Sequence, residues 1–214
     1  MTRRLEAVGY WFYPTRPNGY PRPQALVGRW SAARRAAVVA YLRAGVVFET
    51  YRGWSYCRFD CGAADRAMGH RDLFDGAWVW PEGLAHYVER HAVRLPEPFV
   101  RHALRPRRAD APPAIAPKQR EGLIDETRWL AWGRARGATV ELRGWSAVDY
   151  GQRQQLAAAV RKGHPLWRRS VDPILWHAAS RAVCFFDRDT GELAIVGARG
   201  AVRRLAGWDA WPRR

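Results

Sequence analysis

The chain has 214 residues, of which 48% are hydrophobic and 13% aromatic, with a net charge of +16. That length can bury a substantial core, which excludes global disorder and any need for a disulfide framework. No run approaches the ~18 apolar residues of a membrane-spanning helix, which argues against a membrane partner.

Met1-Thr-Arg-Arg is not followed by the apolar core and cleavage site of a secretory signal. The three cysteines are an odd number, which suits a reducing compartment, so a cytoplasmic location is expected. Lys118 and Lys162 are the only lysines, and arginine supplies the remaining positive charge, spread along the chain. Such charge is either a solvated surface or a site for a polyanion.

Residues 5–13 are rich in strand formers and predict a first strand ended by Pro14. Residues 17–23 carry turn chemistry. Ser31 is the expected N-cap of a helix to Ala44, with Gly45 as its stop and Val38, Tyr41 and Leu42 as its apolar stripe. Residues 46–51 and 54–59 predict a hairpin turned at Arg52-Gly53, with Cys57 on its second strand. Residues 78–80 predict a short strand that puts Trp78 and Trp80 on one face. Pro81 suits the first turn of a helix over 81–92, with Glu82 near its start and Leu84, Tyr87, Val88 and His91 on its apolar stripe.

Residues 104–118 hold four prolines and read as a linker between two lobes, 1–103 and 119–214. Beyond it the pattern predicts a helix over 119–135. Leu123, Thr127, Leu130 and Arg134 share one line of that helix, with Ile124, Trp129 and Trp132 beside it. There follow a strand at 139–142, a helix from a Ser146-x-x-Asp149 capping box to Lys162, and a short helix opened by Asp172-Pro173. A hairpin of residues 182–187 and 192–197 turns at 188–191 and ends in Gly191. The expected fold class is α+β: two small lobes, each a short antiparallel sheet or hairpin packed with amphipathic helices.

Three constellations carry chemistry. Cys57 and Cys61 are spaced C-x3-C, and His86 and His91 H-x4-H, both suited to a structural zinc site. On an ideal helix, five residues place the two imidazoles about 140° apart. Both can reach one ion only if the helix loosens near its end. His70 is a substitute ligand. The alternatives are reduced structural cysteines with His91 in the core, and a Cys57–Cys61 bridge, which the compartment disfavours.

Asp75, Glu82 and His86 are the catalytic candidates. Glu82 and His86 are i, i+4 neighbours, and a carboxylate beside a histidine either orients it for general-base work or forms an ordinary surface pair. No Walker loop, H-E-x-x-H, G-x-S-x-G or G-x-G-x-x-G is present, so the sequence leans away from an enzyme.

The third constellation comprises Arg143, Trp145, Trp167, Arg168, Arg169, Arg203, Arg204 and Trp208. Alternating indoles and guanidinium groups can stack on bases and grip phosphates, or anchor a protein interface. They can equally be a tryptophan core edged by arginines.

Residues 75–88 contain the run D-G-x-W-x-W-P-E-G-L-A-H-Y-V. With the residues up to Pro96 it resembles a run in uncharacterised bacterial proteins and covers about a tenth of the chain. The resemblance implies no fold or activity. The leading expectation is a non-enzymatic macromolecule-binding protein with an Arg/Trp-rich basic surface and nucleic acid as the favoured partner. Two competing expectations stand. One is a protein-binding antitoxin or immunity-type factor of a bacterial conflict system. The other is a hydrolase or transferase using Asp75, Glu82 and His86.

Overall fold

Period-two alternation sorts the strand that carries Trp78 and Trp80. This strand, β4 (Trp78–Pro81), sends both indoles into one large apolar cluster, while Val79 joins a second cluster with Leu5, Phe48 and Phe74. The computed structural model describes residues 4–15, 17–59, 61–106, 112, 115, 116, 120, 122–149, 151, 152, 156 and 171–211. In it β4 is the central strand of a five-stranded sheet. The order is β2 (Val46–Thr50), β3 (Arg71–Phe74), β4, β1 (Leu5–Ala7) and β5 (Ile124–Asp125). β2, β3 and β4 pair antiparallel, whereas β1 pairs parallel with both β4 and β5.

Three helices pack their apolar stripes into the indole cluster. They are α1 (Ala32–Arg43), α2 (Leu84–His91) and α3 (Glu97–Ala103), through Val38, Leu42, Leu84, Val88, Phe99 and Val100. Trp80 is fully buried, and its indole N–H donates to the Leu42 carbonyl at 3.1 Å. α1 starts as expected, with the Ser31 hydroxyl accepting from the Arg34 N–H. Its stop has a second purpose. A Cβ on Gly45 would lie 2.6 Å from Trp80 Cζ2 and 2.8 Å from Leu73 Cβ, so the glycine makes room for the indole.

Several elements differ from expectation. The first strand ends at Ala7, because Gly9 adopts φ +84° and turns the chain away. Residues 54–59 form no strand. β2 instead pairs with β3, which offers the buried Leu73 and Phe74, whereas Trp54, Ser55 and Tyr56 are exposed. Pro81 closes β4 opposite Asp72 and does not open a helix; α2 begins only at Leu84, after Gly83. A proline at a strand end loses no more of the ladder than one at the start of a helix.

The expected helix over 119–135 is divided. Ile124 lies in β5, and α4 (Thr127–Ala135) buries Trp129 and Gly133, not the Thr127/Leu130/Arg134 line. The Trp129 indole N–H donates to the Tyr10 carbonyl at 2.8 Å. Residues up to Thr139 therefore belong with the N-terminal sheet. One compact unit comprises Met1–Trp11 and Tyr20–Thr139, the other Phe12–Gly19 and Val140–Arg214. The expected division at 104–118 is displaced because β5 and α4 pack on β1; most of that segment lies outside the described residues.

The second unit is an antiparallel meander. Its strands β6 (Trp145–Ala147), β7 (Val171–His177), β8 (Ala182–Asp187), β9 (Leu193–Val196) and β10 (Val202–Leu205) lie in sequence order. The β8–β9 hairpin is as expected, with Gly191 at φ +72°. Asp172-Pro173 opens no helix and sits in β7, where the register slips between Pro173 and Leu175, and such an irregularity accommodates a proline. Of residues 139–142, only Thr139 makes a bridge, to Pro21. Ser146 lies in β6. The capping exchange forms one turn later, between the Asp149 N–H and Gln152 Oε1 at 3.2 Å and the Gln152 N–H and Asp149 Oδ1 at 2.8 Å. Most of the expected helix to Lys162 lies outside the described residues.

The protein is thus α+β, with a mixed first sheet and an antiparallel second one. No helix among the described residues is long and apolar enough to cross a membrane.

Candidate metal centre

The loop over residues 51–70 joins β2 to β3 and carries both N-terminal cysteines. Its base is closed by backbone bonds from Tyr51 N–H to the His70 carbonyl (2.8 Å) and from Ser55 N–H to the Gly69 carbonyl (2.9 Å). The Arg58 N–H donates to the Tyr87 hydroxyl at 2.9 Å, which brings the loop onto α2. Gly69, at φ +68°, lies against Glu82 so closely that a Cβ there would meet Oε2 at 2.1 Å.

The far wall is the end of α2. Leu84, Ala85, Tyr87 and Val88 are buried, which fixes the helix rotation. Ala92 then takes a left-handed conformation (φ 51°, ψ 32°), and both its N–H and that of Val93 turn back to the Tyr87 carbonyl. These bonds span five and six residues, so the last turn is wider than an ideal one. The widening lets residues five apart converge: His86 Nε2 and His91 Nε2 lie 3.2 Å from each other.

Cys57 Sγ is 3.3 Å from His91 Nε2, and Cys61 Sγ is 3.5 Å from His86 Nε2. All four ligand atoms lie within 4.8 Å of one another. A tetrahedral zinc with Zn–N of about 2.0–2.1 Å and Zn–S of about 2.3 Å has N···N edges near ~3.3 Å and N···S edges near ~3.6 Å. The four side chains therefore form a Cys2His2 cluster that could hold a metal ion. Cys57 and Cys61 are free thiols, not bridged, and His91 is half-buried and turned to this cluster. Phe59 stacks on the His91 ring at 4.0 Å and 7°, holding its plane.

The electrostatics suit metal binding. Burial, then the Arg90 charge, lowers the His86 pKa; burial, His86 and Arg90 lower that of His91. Both shifts favour the neutral imidazole, the form with a lone pair to donate. Burial above all raises the Cys57 thiol, so a metal must displace a proton to bind there.

His70 lies outside the cluster. Its Nδ1 contacts the Tyr51 carbonyl at 2.9 Å, and its ring stacks on Trp54. The catalytic trio is parcelled among different partners. Glu82 makes a two-pronged pair with Arg71 and accepts the His70 N–H, and His86 turns to Cys61 and His91. Asp75 accepts from the Tyr41 hydroxyl and from the Ala77 and Trp78 N–H groups, and pairs with His102. Those four contacts outweigh the burial that raises its pKa, so it falls below the usual carboxylate range. His102 has no spacing motif linking it to Asp75, and only the packing of α3 brings them together. Asp72, which lies close to these candidates in the sequence, is buried apart from His86, with the Tyr10 and Tyr51 hydroxyls both donating to its Oδ2 at 2.8 Å.

Among the described residues, the expected C-terminal binding set is divided between core and surface. Trp208 is buried, and Trp145 is half-buried against the same cluster. Arg143 pairs with Glu141 and Arg204 with Glu192, and Arg143, Arg203 and Arg204 are all exposed. Trp167, Arg168 and Arg169 lie outside the described residues. No protein family, curated protein or solved structure matches the chain.

Proposed function

We propose that Cys57, Cys61, His86 and His91 hold a structural zinc ion, and that the chain is a cytoplasmic, non-enzymatic binding protein whose partner is nucleic acid. The observation that carries the metal reading is the convergence of four ligand atoms within 4.8 Å. Thiolate and imidazole favour zinc over magnesium or calcium, which take oxygen. Four protein ligands close a tetrahedral shell and leave no position for a reacting water, so the ion's role is structural. It ties the 51–70 loop to α2. The net charge of +16 supports the nucleic-acid half of the reading.

Metal analysis of protein purified without chelator is expected to give one zinc per chain. Less than about a tenth of an equivalent overturns the zinc site. Cobalt substitution is expected to give the visible bands of a tetrahedral thiolate-bearing site, absent in Cys57→Ser. For the partner, the protein is expected to retain an oligonucleotide at ~50 mM salt and release it steeply as salt rises. Failure to bind at ~50 mM salt, or a protein partner that co-purifies through nuclease treatment while no oligonucleotide is bound, overturns that half.

A further inference from the structure

Among the described residues, the exposed aromatic side chains are Tyr51, Trp54 and Tyr56, at 49%, 47% and 48% exposure. Every other described aromatic residue is buried or half-buried. All three lie within six residues, on the loop that the Cys/His cluster holds to α2. The Tyr51 hydroxyl is anchored on the buried Asp72, but leaving the Trp54 and Tyr56 rings about half in water forfeits the stabilisation that their burial would bring, so their place on one held loop needs a reason beyond folding.

The rings are accompanied by guanidinium groups. Arg58 lies over the Tyr56 ring at 4.0 Å, and Arg66 over the Trp54 ring at 5.2 Å. Trp54 is backed by the His70 ring, stacked at 4.2 Å and 22°. Arg52 and Arg66 have no carboxylate partner among the described residues. Trp54, Tyr56, Cys57, Phe59, Cys61 and Arg66 line a cleft of about 510 Å³, within the ~300–1,000 Å³ typical of ligand clefts. Asp65 also lines it.

We infer that this metal-tied loop is a contact surface for single-stranded nucleic acid, with Trp54 and Tyr56 stacking on bases and Arg52, Arg58 and Arg66 meeting phosphates. The inference rests on the nucleic-acid reading above and moves its site from the C-terminal Arg/Trp set to the loop. Flat π faces next to cations match the alternation of base and phosphate along a strand. A duplex keeps its base faces stacked inside and offers them no partner, so the surface selects single strands. The metal supplies rigidity: it fixes the loop in the form that presents the rings, which lowers the ordering cost of binding.

The test is fluorescence anisotropy of the zinc-loaded full chain with a labelled mixed-sequence single-stranded 12-mer at ~50 mM salt. The variants are Trp54→Ala, Tyr56→Ala, Trp54→Phe and the Arg203→Ala/Arg204→Ala pair. Trp54→Ala and Tyr56→Ala are each expected to weaken binding roughly 5- to 100-fold with zinc content and far-ultraviolet spectrum unchanged. Trp54→Phe, which keeps a ring, is expected to recover most of the loss, and the β10 pair to change affinity no more than a few-fold. The matching duplex is expected to bind more weakly, and competing mononucleotide to displace the strand only at far higher concentration. Undiminished binding by both loop variants, or loss confined to the β10 pair, overturns the loop site and leaves the nucleic-acid reading standing. Equal affinity for duplex overturns the stacking, and no binding by the wild-type chain overturns both readings. Should Trp54→Ala lose zinc, Trp54→Phe and Arg66→Ala at full zinc decide, with loss expected in Arg66→Ala only.

Discussion

In the second unit every strand pairs with its neighbour in sequence, from β6–β7 to β9–β10. In the first, β1 lies between β4 and β5, and β2 must wait for β3 across the whole 51–70 loop. From β7 to β10 the pairing closes short loops and needs little besides turn chemistry; the β6–β7 connection, residues 148–170, is the exception. Non-local pairing must order long segments before its contacts form, and here the segment between β2 and β3 carries two of the four candidate metal ligands, Cys57 and Cys61. The cysteines mark the same contrast. Cys184 is fully buried in the second unit, its thiol pushed up to about 12 by burial, and it is a small apolar side chain in effect. Cys57 and Cys61 are half-buried and face the His91 and His86 imidazoles.

If the proposed zinc is bound, its removal is expected to have the largest effect and to fall on the first unit alone. Chelation, or His86→Ala, is expected to strip amide-exchange protection from residues 51–70 and the end of α2. It should lower the thermal midpoint of the first unit by more than ~5 °C, since structural zinc binding is folding free energy. Protection in β7, β8 and β9 is expected to stay. Cys184→Ala is expected to leave zinc stoichiometry unchanged. Loss of protection spread evenly over both units would show that the metal is no local staple.

Two glycines sharpen the contrast at smaller cost. Gly45→Ala forces a methyl to within 2.6 Å of Trp80 Cζ2 and 2.8 Å of Leu73 Cβ, in a core that cannot yield easily. Overpacking of this kind costs about 2–3 kcal/mol. At Gly191 nothing lies within 4 Å of the new Cβ, and only φ +72° opposes it, a cost of about 1 kcal/mol. Urea denaturation of the two variants measures the difference. Equal losses would mean that the Trp80 pocket relaxes, and that the first unit's core is looser than its packing indicates.

What could be read in advance follows the same line between local and non-local. The Ser31 cap, the stripe of α1, the two indoles of β4, the β8–β9 hairpin and the cysteine and histidine spacings all announce themselves within a few residues. The β2–β3 pairing, the place of β5 beside β1, and the Asp75–His102 pair are settled by contacts far apart in sequence. Pro81 and Pro173 misled because proline suits a helix start as well as a strand end or bulge. The convergence of His86 and His91 depends on Ala92 at φ 51°, a left-handed residue that is not glycine and carries no sequence signal. The ligand set was therefore legible, while the backbone device that assembles it was not.

The smallest expected effect tests whether the first unit keeps any buried charge for stability. Asp72 is 4% exposed, and the Tyr10 and Tyr51 hydroxyls share its Oδ2. Burial, the largest influence, raises its pKa; the two tyrosine bonds oppose that rise, and Glu49 adds to it. A raised folded-state pKa means that the folded chain prefers the neutral acid. This contribution is complete below the unfolded value of about 3.9 and is lost as pH rises through the folded value. At neutral pH the charge therefore detracts from stability. Asp72→Asn keeps an oxygen to accept both hydroxyls, which remain donors because burial holds the tyrosines above their usual range. The variant is expected to be equal to the wild type at pH 4 and more stable by up to about 1 kcal/mol at pH 7. Denaturant titrations at the two pH values read this directly. A loss of about 2 kcal/mol or more at pH 7 would reverse the sign, and would make the carboxylate charge a tie that the long loop requires through Tyr51.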